Sequence, residues 1–381
     1  MKQTVVVFGN DHTNTVGVTQ SLGKVGYDVM NLLFGNHSGY VKASRYSKSI
    51  IWGKDENDCI EKLLKNGVTI ISGPIPIVCC CDNAALAVNL RFSELVRKGY
   101  VSEYAIGALP FEQYFEKAFQ VTLAGESGFN VPKSFVLKSI IDLPSGIPYP
   151  CLIKPLVSCK GAKSDIRVCR NLDELRQNLD SLKFTTQILL QQYVEKDYEL
   201  CILGCAFKDG TVFIPCEERK ISIFPKNVGL VSFADIQALK DQQIKQNVQR
   251  IVNSLGYVGL FSIELMHSKL DDKLYFTEIN LRNDGGNSFI YKYGVNLPEC
   301  HVRDLLGLPQ KEYTKLHPGY YIWDYHHFQS MRAHDISLKT WMSEIFKSKG
   351  MLMLMIDDLK PFFKQYANFN PFRRIWKKIV K

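Results

Sequence analysis

Two apolar runs separated by Asp271-Asp272-Lys273 constrain this chain more than any other stretch. Leu260 to Leu265 and Lys273 to Leu281 both have strand character, and the charged triplet makes the turn between them. Antiparallel pairing brings Glu264 and Glu278 together, and residues two apart on a strand share a face, so Asn280 points the same way. Three oxygen ligands then converge. Magnesium takes hard oxygen ligands and completes its octahedron with phosphates and water, which suits two carboxylates and one amide carbonyl. Arg282, two residues further on, sets a cation beside that face, where it can hold phosphate or carboxylate oxygens through paired hydrogen bonds. A hairpin with solvated carboxylates is the plain alternative for a Glu-x-Asn taken alone.

At 381 residues, with 46% hydrophobic and 22% charged, the chain can bury a large core in two or three units. The formal charge of +9 is modest, and most basic residues are interspersed with acidic ones, so charge does not call for a nucleic-acid partner. A run of about 18 apolar residues is lacking, and MKQTVVVFGN leads straight into a strand without a cleavage pattern, so the expectation is a cytoplasmic protein. Eleven cysteines, with no C-x-x-C pair, read as reduced core residues. Cys201 and Cys205 share a strand face, but a metal site there lacks further ligands.

The chain opens as a βαβ unit: a strand at Thr4 to Phe8, a helical run through Gln20, and a strand at Asp28 to Leu33. Strands at Lys48 to Trp52, Val68 to Ile71 and Ile75 to Cys79 extend this into a small parallel sheet. Gly9 and Gly17 do not make a dinucleotide fingerprint, and no acid ends the second strand as a ribose binder should. Helices are expected at Ala84 to Lys98, Phe111 to Gly128, Leu172 to Leu182 and Asp235 to Leu255. Strands are expected at Tyr149 to Pro155, Gln187 to Tyr193, Glu199 to Phe207 and Thr211 to Pro215, and the residues after Leu308-Pro309 read as helical and distinct.

The order of these segments, with Lys154-Pro155 ending an apolar strand and Glu264, Glu278, Asn280 and Arg282 closing the series, resembles the ATP-grasp superfamily. The resemblance covers roughly Phe111 to Leu308. It implies α/β and α+β architecture: a small parallel α/β domain (1–105), a two-subdomain ATP-grasp fold (106–190 and 191–310) and a helical C-terminal extension (311–381). Its cofactors would be ATP with Mg2+, or Mn2+, held by Glu264, Glu278 and Asn280. Lys117 and Lys154 would contact the phosphates, although a structural salt bridge is the other reading of Lys154. The loop 158–164, through Ser158, Lys160 or Lys163, would close over them, or else is an exposed basic turn; it has a single glycine where many members have more. Gln192, Tyr193 and Val194 would form the hinge whose backbone pairs with adenine, and Asp197, with Glu199 as the alternative, would hold the ribose hydroxyls.

The implied chemistry is transfer of the γ-phosphoryl group to a carboxylate and attack on the acyl phosphate by an amine, with Lys154 and Arg282 in catalytic positions. Such transfer depends on positioning and charge neutralisation more than on a covalent nucleophile. Gly294 to Pro298 and Asp357 to Phe363 look most like ligases of the D-aspartate ligase kind, which join an amino acid to a cell-envelope precursor. A carbamoyl-phosphate-forming or carboxylating enzyme and a degenerate ATP-binding protein are the alternatives. Small-molecule or precursor carboxylate and amine partners are implied. Arg219 or Lys220 either binds an acidic group or is a surface cation. Residues 371–381, PFRRIWKKIVK, form a basic amphipathic pattern that suits peripheral contact with the inner face of a membrane, or docking on its own domain.

Overall fold

Strand β1 (Thr4–Asn10) is buried on both faces, as a central parallel strand must be: Val5 and Val7 pack into one core, Val6 and Phe8 into another. The computed structural model describes residues 2–66, 73–105, 110–137, 143–155, 166–181, 188–226, 230–312 and 316–366. From β1 the chain runs through α1 (Thr13–Lys24), β2 (Asp28–Phe34), α2 (Tyr40–Ala43), β3 (Ser47–Trp52), α3 (Glu56–Asn66), β4 (Ile75–Cys79), α4 (Asp82–Leu90), α5 (Phe92–Arg97) and β5 (Tyr100–Ser102). These strands form a parallel sheet in the order β3-β2-β1-β4-β5. The order reverses between β1 and β4, so a crevice opens beyond their carboxyl ends, at Asn10 and Cys80.

A short strand β6 (Tyr104–Ala105), a 3-10 turn (Phe111–Phe115) and α6 (Lys117–Glu126) lead to a second sheet. Its strands are β7 (Ser134–Leu137), β8 (Cys151–Pro155), β9 (Arg167–Cys169) and β10 (Ile188–Gln192), in the order β7-β10-β8-β9, with α7 (Leu172–Ser181) supplying Leu175 and Leu179 to their common core. The third sheet takes β11 (Lys196–Ala206), β12 (Val212–Phe224), β13 (Leu230–Gln237), β14 (Tyr257–Ser268) and β15 (Leu274–Asn280), with α8 (Gln242–Ser254) before β14. After α9 (Gly285–Phe289) and α10 (Leu297–Leu305) come β16 (Gly319–Ile322), α11 (Asp324–Arg332), α12 (Leu338–Lys347), β17 (Ser348–Met351) and α13 (Leu359–Tyr366). This sheet has eight strands among the described residues, ordered β15-β14-β11-β12-β13-β16-β17, with β6 paired to β14.

The parallel α/β sheet and the hairpin carrying Glu264 and Glu278 stand where the sequence puts them. Four elements differ. The expected helix Asp235 to Leu255 is β13 followed by α8, which starts where the Asp241 carboxylate accepts from the Ile244 amide. The expected helix Ala84 to Lys98 is broken at Arg91 into α4 and α5, and Phe111 to Gly128 begins as a 3-10 turn. The residues after Leu308 are helical only in part, since β16 pairs with β13 and β17 with β16. The expected strand Val68 to Ile71 and the segment 371–381 lie outside the described residues.

The C-terminal part is fastened to the first sheet by two acids. Asp358, buried, accepts from the Ser44 hydroxyl, the Arg45 amide (2.9 Å) and the Gln20 amide group (3.1 Å). Asp357 pairs with Lys24 and accepts from the Tyr46 hydroxyl at 2.7 Å. Replacing Asp358 with alanine orphans three buried or half-buried donors, so it is expected to cost about 2 kcal/mol or more in urea unfolding. Asp357→Ala, at a more exposed pair, is expected to cost about 1 kcal/mol or less in the same measurement.

Candidate active site

The alternation of the eight-stranded sheet sorts its residues by chemistry. Leu200, Ile202, Ile263, Leu265 and Ile279 face one side and pack against α6 and α8. The opposite side carries Glu199, Glu218, Lys220, Glu264 and Glu278, because residues paired across antiparallel strands share a face: Glu199 stands opposite Lys220, Cys201 opposite both Glu218 and Glu264, and Glu264 opposite Glu278. Unbroken pairing from Glu264–Glu278 to Ser262–Asn280 keeps Asn280 on that face; the bulge in this pair comes only after Glu264.

The two carboxylates expected to hold a metal are therefore direct cross-strand neighbours. Burial raises the Glu278 carboxyl above the ordinary range, and the Glu264 charge raises it further; Lys117 and Lys154 oppose this. Lys154 is buried, and its ammonium is pushed down to about 8 by burial and then by the Lys117 charge, with Glu278 acting the other way. On the other side, the Lys220 ammonium lies 3.0 Å from both Glu199 and Glu264. Lys220 is thus an inward cation, neither exposed nor free. Arg219, its neighbour on the opposite face, lies over the Tyr198 ring at 3.9 Å.

Asn280 donates to the Ser262 hydroxyl at 3.2 Å, and its amide oxygen accepts from Arg282 at 3.1 Å. That orients the oxygen and leaves it a second lone pair. Arg282 donates to Asp82 at 2.9 Å and to Asp284 at 3.2 Å, so its charge is met by two acids that the sequence reading did not single out. Two carboxylates and one oriented amide oxygen are a donor set for a hard divalent cation that takes its remaining ligands from phosphate and water. Among the described residues no group of three His, Cys, Asp or Glu side chains could hold a metal unaided.

The residues expected to face the nucleotide divide. Gln192 ends β10 and Tyr193 follows it, with the Gln192 amide donating to the Lys133 carbonyl at 2.8 Å and the Tyr193 amide to the Pro150 carbonyl at 3.0 Å. The Gln192 side chain turns back to accept from the Lys133 amide at 3.3 Å, while Val194 is buried. Asp197 is half exposed, beside His267. Burial would raise the Glu199 carboxyl, but Lys220 and Lys196 outweigh it and hold it down at about 2. Glu199 is thus committed to two lysines, and of the two ribose candidates Asp197 is the accessible one. Ser158, Lys160 and Lys163 lie outside the described residues.

Above this face a cavity of about 260 Å³ separates the sheet from the crevice at β1 and β4. Asn10, His12, Asn14 and Asp82 line it from the first sheet, and Glu218, Lys220, Glu264, Arg282, Asp284, Tyr321 and Trp323 from the other side. The two walls are clasped together: Asn14 donates to the carbonyls of Cys80 (2.9 Å) and Asn283 (3.0 Å), and the Asn283 side chain donates back to Asn14. Glu218 is buried beneath the cavity and bonded to the Tyr321 hydroxyl; burial pushes its carboxyl up to about 7, with Lys220 opposing and Asp284 reinforcing the rise. Gly286 is required there, since a Cβ would lie 2.8 Å from the Glu218 carboxylate and 2.9 Å from Leu203. Asp82 opens α4 and Asp284 caps α9.

Residues 122–288 match the family model of the ATP-grasp domain. The chain carries an ATP-grasp domain. The match spans the lysine strand β8, the hinge and the acidic hairpin in one unit. The chain is 29% identical over 182 residues to formate-dependent phosphoribosylglycinamide formyltransferase of Bacillus subtilis, covering 45% of this chain and 45% of that protein. The same enzyme of Francisella tularensis is 27% identical over 189 residues, 47% of each. The chain thus aligns with less than half the length of these curated relatives. N5-carboxyaminoimidazole synthetase of Staphylococcus aureus shares the fold around the ATP-grasp domain with a TM-score of 0.65 at 15% identity, over 84% of this chain and 82% of that one. It has also been solved with ADP. The L-amino acid ligase of Bacillus licheniformis superposes with a TM-score of 0.59 at 16% identity, over 80% and 75%.

The opposed carboxylates carry a stability cost with a definite sign. Because the folded Glu278 carboxyl titrates above the unfolded one, folded stability falls as pH rises from the ordinary carboxylate value toward the raised folded value, and stays reduced above it. Glu278→Gln is therefore expected to melt about 2 °C or more above the parent at neutral pH without nucleotide or metal, with the difference vanishing in acid. A thermal melt at several pH values reads both.

Proposed function

We propose that the chain is an ATP- and magnesium-dependent ligase that activates a carboxylate as its acyl phosphate and joins it to an amine. The observation that carries this reading is the Glu264–Glu278 pair, directly opposed on a half-buried sheet face with Lys154 and Lys117 beside it. Two carboxylates held together have a use when a divalent cation lies between them and a polyanion, and two buried-side lysines beyond them suit that polyanion. Glu264, Glu278 and the Asn280 amide oxygen would hold the metal, which would neutralise phosphate charge. Lys117 and Lys154 would bind the phosphates, the backbone at Gln192 to Val194 would take adenine, and Asp197 the ribose.

The cavity facing this cluster supplies the second half of the reaction. Arg282, fixed by Asp82, Asp284 and Asn280, has one Nη2–H left to offer a carboxylate or the transferring phosphoryl group. An attacking ammonium must lose a proton, and Glu218, bonded to Tyr321 and poised near neutrality, is the carboxylate placed to accept it. The lining of amides, one histidine and several acids suits a small polar amine more than an apolar one. The names of the relatives concern carboxylation, formyl transfer and amino acid ligation; nothing in them points to an envelope precursor.

The deciding assay is ADP release with magnesium and ATP against panels of small carboxylic acids and amines, with mass spectrometry of the products. One ADP for each condensed product is the expected result, reduced about a hundredfold or more by Glu278→Gln. Glu218→Gln is expected to retain nucleotide binding and to lower product formation about a hundredfold, with loss of the acid limb of the pH profile. Nucleotide binding is also expected to take up a proton near pH 8.5 as Lys154 regains its charge, seen by calorimetry in buffers of different ionisation enthalpy and lost in Lys154→Met. ATP bound but never turned over, with Glu278→Gln without effect, would remove this reading.

A further inference from the structure

Helix α12 presents an apolar face that no other described residue buries. None of its residues is buried, yet Leu338, Met342 and Phe346 recur every four positions along one stripe, and Phe346 is 81% exposed. Across an apolar pocket bordered by Trp341 and Ile345 of α12 and by Phe362 of α13, a second exposed group follows: Ile356, 90% exposed, and Leu359. Isolated surface leucines are ordinary, but three large apolar side chains in one stripe of α12, with Ile356 just before α13 and Leu359 at its start exposed as well, are more than that.

The charges around this patch are sorted. Lys339 and Lys347 on α12, and Lys360 and Lys364 on α13, are exposed and make no ion pair among the described residues. The acids of the same stretch are already paired or buried: Glu344 pairs with His327 at 2.6 Å, Asp357 with Lys24, and Asp358 is buried against Ser44 and Arg45. From Ile336 to Lys381 the sequence holds ten lysines and arginines against three acids, so most of the net charge of +9 belongs to this end. Apolar side chains standing out of a lysine surround are the chemistry of a helix lying in a lipid headgroup layer, where the anions meet the lysines and the side chains enter the acyl boundary.

We propose that α12 and the approach to α13 form a docking face for an anionic lipid bilayer. The proposal is independent of the ligase reading, because none of its residues lines the carboxylate cavity. The test is flotation of the full chain with vesicles of phosphatidylcholine alone or mixed with phosphatidylglycerol. Binding to the mixed vesicles only, weakened by salt and reduced about tenfold or more by the double variant Phe346→Glu, Ile356→Glu, is the expected result. Both positions are exposed, so the variant should keep the parent melting curve, and a chain ending at Tyr366 should still bind.

Absence of binding to mixed vesicles by the parent would overturn the proposal. So would undiminished binding by the double variant with loss on truncation at Tyr366, which would assign the contact to the last fifteen residues. Concentration-dependent association in sedimentation velocity, abolished by Phe346→Glu and accompanied by no vesicle binding, would assign the face to a second copy of the chain and overturn it equally.

Discussion

The structure is arranged around a repulsion. Glu264 and Glu278 are held opposite one another by backbone ladder bonds that neither side chain can escape, in a place where burial amplifies the conflict. The surroundings compensate on two sides: Lys220 leans on Glu264 from the neighbouring strand, and Lys154 and Lys117 reach toward Glu278 from β8 and α6. The compensation has its own cost, because Lys154 is buried next to Lys117 and gives up part of its hold on a proton. Each of these tensions is relieved by the same addition, a metal-bound polyphosphate, which brings a cation to the acids and anions to the lysines.

What the sequence made legible follows from how local each signal is. The hairpin could be read because its two strands are adjacent in the chain, so the period-two rule alone brings Glu264, Glu278 and Asn280 to one face. Glu218 and Tyr321 escaped notice because they join that face from strands far away in sequence, and only the register of β11 with β12 aligns Glu218 with Glu264 through Cys201. Asp82 and Asp284 were not singled out: Asp284 is a near neighbour of Arg282 in the chain, while the hold of Asp82 on Arg282 comes from the other sheet and has no sequence signature. The error at Asp235 has a different origin. Val231 to Ala234 is buried on both faces, where a short apolar run reads equally as strand or helix, and Asp241 was the cap that should have marked the helix start.

The three sheets are tied to one another unequally. The parallel sheet shares a core with the eight-stranded sheet, in which Val5 and Val7 meet Leu203 and Phe289, and the Asn14–Asn283 and Arg282–Asp82 bonds stitch the same seam. The four-stranded sheet instead encloses a core of its own, built from Leu137, Ile153, Leu175 and Ile188. A molecule entering the space between Lys154 and the acidic hairpin therefore meets one wall that is anchored and one that is self-supporting. The arrangement is that of a vice: the jaw with the acids is bolted to the bench, and the jaw with the lysine stands on a footing of its own.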